Sequence, residues 1–200
     1  MDLRRFVRQS FVHGVPFKEA SRYGSDRDVE ALISLLRDRA EEFYWPNIVT
    51  VLGMGRNPRA TAALIAFIET DSGKLSRQEY AAKSSAVISL GYLAGRDAKA
   101  LDYLLESVDP LVWSKRLSWI LPYGDNADSR NLQLTVNAIQ GLGLSGNQHA
   151  AKQLLNLQQS PSLKIYQTDE SLKEILSEAL KTNEAIQKYG IESYMTTLGH

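Results

Sequence analysis

The run Gly141-Leu142-Gly143-Leu144-Ser145-Gly146 has the G-x-G-x-x-G spacing with which a backbone can approach a pyrophosphate. That chemistry needs a strand before the glycines and a helix after them, with the phosphate on the helix N-terminus. The approach, Leu132 to Gln140, is patterned as a helix, so the glycines read as a helix end. Ser145 is not in a G-x-S-x-G elbow, and no serine stands three residues before a lysine as an S-x-x-K nucleophile would. His13, His149 and His200 lack metal-ligand spacing and have no acidic neighbour to orient them. With no cysteine in the chain, thiolate chemistry and Cys-containing zinc sites are excluded. The expectation is therefore no catalytic residue, no metal and no cofactor.

Aromatic and charged residues could bind rather than react. Trp45, Trp113 and Trp119, with Tyr44, Tyr103 and Tyr123, would be anchors if exposed. Their spacing favours burial: Trp113, Leu117 and Ile120 fall on one helical stripe, and Tyr44-Trp45 precedes Pro46 at a helix entry. Asp109 and Asp125 flank turns and read as caps. Arg4, Arg5, Arg8, Lys18, Arg22 and Arg27 form a basic N-terminal cluster, read as a solvated face.

The chain that must position these groups has 200 residues, 44% of them hydrophobic, which suits one globular domain. Lys plus Arg number 23 and Asp plus Glu 23, and this neutrality argues against bulk nucleic-acid affinity. The N-terminus lacks an apolar run of signal-peptide length, so a cytoplasmic location is expected. The uncharged stretch Asn131 to Ala151 holds too many Gln, Asn and His residues to span a bilayer.

One pattern recurs: a glycine, an apolar residue five positions on, and another four beyond it. The copies are Gly24, Val29, Ile33; Gly55, Ala60, Leu64; Gly95, Ala100, Leu104; and Gly146, Ala151, Leu155. In three copies Leu-Gly precedes the marker, at Leu52-Gly53, Leu90-Gly91 and Leu142-Gly143. The pattern predicts a helix ended by glycine, a tight turn, and a second helix with i, i+4 core positions. Asn57 before Pro58, Asp97 and Asn147 are the expected caps, and Ser76 to Glu79 has capping-box spacing. Leu111 to Leu121 reads as one further amphipathic helix ending near Pro122-Tyr123-Gly124, and Asp169 to Lys188, after Pro161, as a terminal helix stopped by Gly190. Leu3, Phe6, Val7 and Phe11 are expected to cap the other end, and no segment reads as a strand.

The unit Tyr44 to Ala60, with Leu-Gly closing one helix and an Ala-x-x-x-Leu pair opening the next, resembles the short HEAT-like repeat of the bilin-lyase type, and the copies at Leu90 to Leu104 and Leu142 to Leu155 are similar. The resemblance implies an all-α, right-handed α-α superhelix of about four to five hairpins: a cap at 1–23, repeats at 24–158 and C-terminal capping helices at 165–200. It further implies a non-enzymatic scaffold that grips a protein partner on the concave face lined by second helices, acting as a monomer or weak oligomer. The expected contacts are Arg59, Lys99, Asp102, Tyr103, Lys152 and Asn156. Two alternatives go with the same resemblance. A DNA glycosylase-like protein would use Trp113, Trp119 and Asp109, which the zero net charge disfavours, and a phycobilin lyase-like subunit would need a bilin pocket that no residue identifies.

Overall fold

A computed structural model of the chain describes residues 2–124, 126–159 and 170–198, and every regular element in them is helical. In order these are α1 (Leu3–Val7), α2 (Phe17–Ala20), α3 (Asp26–Arg37), a 3-10 helix (Arg39–Tyr44) running into α4 (Trp45–Met54), α5 (Arg59–Glu69), α6 (Arg77–Ala94), α7 (Ala98–Ser107), α8 (Pro110–Arg116), α9 (Ala127–Leu144), α10 (Gln148–Gln159), α11 (Glu170–Tyr189) and α12 (Ile191–Thr197). Asp125, Pro161, Asp169 and His200 lie outside the described residues.

The turns repeat in atomic detail. The side-chain oxygens of Asn57, Asp97 and Asn147 each accept a hydrogen bond from the backbone N–H two residues on, at Arg59, Lys99 and His149. Ser25 and Asp28 form a full capping box at the start of α3. At Ser76 only half of one forms: its hydroxyl accepts from Glu79 N–H, but the Glu79 carboxylate turns to Arg39.

Helices α4, α6, α9 and α11 pack one on the next, and α5, α7 and α10 lie against them in the same order. The stacked helices are buried on most sides, and Ala82, Ala86, Leu90 and Leu93 of α6 belong to one continuous core with Leu134, Ala138 and Leu142 of α9. Close approach requires glycine: a Cβ on Gly91 would stand 2.3 Å from the Gly141 carbonyl oxygen. No helix among the described residues is long and apolar enough to cross a membrane.

Three expectations are corrected. In the fourth repeat the core pair is Ala150 and Leu154, while Ala151 is half-buried and Leu155 is 42% exposed. The residue equivalent to Gly55 and Gly95 is Ser145, which ends α9 and whose carbonyl faces Gly95. Only one side of that contact must be glycine, so the sequence marker slipped by one. In the first repeat Leu32 takes the core place expected of Ile33, which is only partly buried.

The helix expected over Leu111 to Leu121 stops at Arg116. Beyond it the chain is extended: Leu117 and Trp119 are buried while Ser118 and Ile120 face solvent. Backbone bonds from Ile120 N to Gly73 O and from Leu75 N to Ile120 O tie this strap to the loop before α6.

The C-terminal segment also reaches an early part of the chain. After Gly190, at φ 81°, α12 turns back to touch α2 near the opposite end of the chain, and Arg56 pairs with Glu192 across it.

Candidate functional site

The six residues expected on a binding face divide into three groups. Lys99, Asp102, Lys152 and Asn156 are exposed on α7 and α10, which touch each other, and none forms an ion pair among the described residues. Arg59 is exposed but engaged, pairing with Asp26 at 2.9 Å and lying 3.6 Å from Glu30, so it ties α5 to α3. Tyr103 is buried and cannot present a ring to a partner. The Arg116 guanidinium covers it at 4.1 Å, and burial pushes its phenol well above the ordinary range. Leu155, displaced from the core by the register slip, stands between Lys152 and Asn156 on α10.

Trp113, Trp119 and Asp109 are structural, whereas Tyr123, expected to be buried with them, is 70% exposed with the Arg77 guanidinium 5.1 Å from its ring centre. Trp113 and Trp119 are 0% exposed, and their indole N–H groups donate to Ser107 O at 3.0 Å and Ile68 O at 2.9 Å. The Asp109 carboxylate caps α8 by accepting from Leu111 N–H. Neither tryptophan can stack on a nucleobase, so the roles sketched for a DNA-repair protein have no geometric basis at these residues. His13 and His149 lie on separate elements, and no group of three potential metal ligands converges among the described residues.

A cavity of about 440 Å³ opens between α3, α5 and α6, walled by Ile33, Leu36, Trp45 and Phe67, with Arg39, Glu79 and Lys83 at its polar end. The Lys83 side chain is wholly buried, and desolvation lowers its pKa to about 8. Its ammonium donates to the carbonyls of Phe67 (2.7 Å), Ile68 (3.3 Å) and Thr70 (2.8 Å), the acceptors left open where α5 ends. Glu79 is held by Arg39 at 2.9 Å, and Arg39 lies over the Trp45 ring. Arg39, Glu79 and Lys83 are each engaged by protein partners, while Arg37, which also lines the cavity, forms no ion pair among the described residues; the apolar walls can shelter an apolar group.

Glu41 was not singled out from the sequence. Its side chain is 0% exposed, receives Arg4 at 2.7 Å and is also bound by Arg8, so two arginines of the basic cluster are paired while their side chains stay in contact with solvent. The Arg8 hydrogen bond, working against desolvation, holds the carboxyl below the ordinary carboxylate range. Lys83 was equally hidden, because one lysine in a helix gives no sign that a neighbouring helix ends over it. The chain matches no protein-family model, and a search of the curated proteins finds no match.

Proposed function

We propose that the chain is a non-enzymatic interaction module, a HEAT-like right-handed superhelix that binds a protein partner on the concave face lined by its second helices, through the solvent-facing residues of α7 and α10. The observation that carries this reading is an exposed apolar residue, Leu155, beside Lys152 and Asn156 on α10, with Lys99 and Asp102 exposed on the adjoining α7, none of the four making an ion pair among the described residues. An apolar anchor within a polar, mixed-charge rim is the usual make-up of a protein-binding patch. Mixed charge suits a protein partner better than a nucleic acid, whose backbone selects for excess positive charge. The test is affinity capture from the source cells with the full chain, with Leu155→Glu, and with Lys99, Asp102, Lys152 and Asn156 all changed to alanine. Proteins that the native chain retains should be lost from both variants while circular dichroism stays native. Unchanged capture by both variants would remove this face from the proposal.

A further inference from the structure

The turns after α4 and α6 occupy the same place in successive hairpins, and each puts an arginine just past the helix: Arg56 after Gly55 and Arg96 after Gly95. The third such turn has Gly146 there. Arg56 has φ 53° and Gly146 φ 55°, so the two turns share a left-handed geometry that glycine adopts freely and arginine only with strain. The backbone therefore gives no reason for an arginine at position 56. The side chain must supply it.

That side chain is only 12% exposed and lines a cavity of about 300 Å³ with Arg96, Tyr92 and Glu192, closed on one side by the chain from Tyr189 to Ser193. Its one ion-pair partner among the described residues is Glu192, at 3.2 Å, which is itself 77% exposed on the short helix α12. Arg96 has no ion pair among the described residues, and the Tyr92 hydroxyl has no hydrogen bond there. Burial and the neighbouring Arg96 both work against the charge on Arg56. Two guanidiniums thus line a cavity that holds one carboxylate, which pairs with Arg56 alone, and that exposed carboxylate can swing out to water without breaking the core.

We propose that Arg56 and Arg96 form a binding site for a phosphate group, with Tyr92 as a neutral donor and Glu192 as an internal occupant that the ligand displaces. With Glu192 gone, two positive charges face a dianion, and guanidinium forks match its oxygens in pairs. The cavity is larger than an inorganic phosphate and leaves room for the organic part of a small phosphate monoester. This site stands apart from the α7 and α10 face and does not depend on it.

The experiment is isothermal titration of the full chain with inorganic phosphate, glycerol phosphate and succinate. Saturable binding of a phosphate compound is expected, weakened at least tenfold in Arg96→Ala and in Arg56→Gly, and tightened at least threefold in Glu192→Gln. Arg56→Gly suits the left-handed backbone, so its thermal midpoint should match or exceed that of the native chain, which separates lost binding from lost folding. Tighter binding of glycerol phosphate than of inorganic phosphate would assign the organic part to the cavity, and equal binding would assign a free anion. The arginines could instead serve only the negative ends of α4 and α6. In that case Arg96→Ala would lower the thermal midpoint while the native chain bound no phosphate, and the proposal would fall. Binding of succinate in preference to both phosphates would also overturn it.

Discussion

Gly91 of α6 lies against the backbone of Gly141 of α9, so close that a methyl group on Gly91 would meet the Gly141 oxygen at 2.3 Å and its Cα at 2.6 Å. Backbone cannot move aside as a side chain can, so Gly91→Ala must push two central helices apart. The same change at Gly141 would meet the Leu104 methyls at 3.2 and 3.3 Å and the Val87 carbonyl oxygen at 3.3 Å, contacts that ask for a shift of only a few tenths of an ångström. Gly91→Ala should cost upwards of about 1–3 kcal/mol, the usual range for overpacking, and Gly141→Ala clearly less. Urea unfolding of the two variants tests the order, and equal losses would contradict the contact.

Glu41 ties α1 to the 3-10 helix from a wholly buried position. Its folded pKa lies below the ordinary value, so its contribution is present above the unfolded pKa and is lost as pH falls through the folded one. Both arginines are more than a third exposed, and solvent screening reduces the Coulomb part. Glu41→Gln should then cost about 1.5–3 kcal/mol at neutral pH, the scale of hydrogen bonds to a charged group. Urea midpoints measured from pH 7 down to about pH 3 should fall less steeply in this variant than in the native chain. Parallel acid limbs would show that Glu41 carries none of that dependence.

Local chemistry was the legible part of this molecule. The caps at Asn57, Asp97 and Asn147 involve a side chain and a backbone N–H two residues away, so sequence spacing shows them directly. Contacts made over long separations were not legible. Leu117 to Ile120 has an apolar pattern that suits a helix until the loop at Gly73 to Leu75 offers hydrogen bonds to an extended strand of chain. Ser145 could be told from Gly146 as the true repeat marker only once Gly95 was found against its carbonyl. The expected binding face suffered in the same way: nothing near Tyr103 in sequence reveals that Arg116 will cover it, or that Asp26 will engage Arg59.

Lys83 should make stability rise with pH in a window where most proteins begin to lose it. Its folded pKa is about 8 against an ordinary 10.5, so between these values the unfolded chain binds the extra proton. Stability associated with this group is therefore present above the higher value and lost as pH falls through the lower one. Tyr92 and Tyr103 have raised pKa values and act in the opposite sense, but only once pH enters the ordinary tyrosine range. Denaturant midpoints should be compared at two pH values that bracket the lower half of the window. The native chain should gain between them and Lys83→Met should not; an equal gain in both would assign the rise to another group.

Trp119 and Lys83 share an acceptor, and this sets the relative cost of losing each. The indole N–H and the ammonium both reach Ile68 O, at 2.9 and 3.3 Å, but only Lys83 also serves Phe67 O and Thr70 O. Trp119→Phe leaves Ile68 O with Lys83 as its donor and keeps most of the ring volume, so it should cost about 0.5–1.5 kcal/mol, the net value of one hydrogen bond. Lys83→Met strips its donor from all three carbonyls where α5 ends. An unpaired buried acceptor costs about 1–3 kcal/mol, partly offset here because a charged group no longer has to be desolvated. At neutral pH the lysine variant should therefore unfold at lower urea than the tryptophan variant. The reverse order would mean that the indole, not the ammonium, holds the end of α5 to the strap.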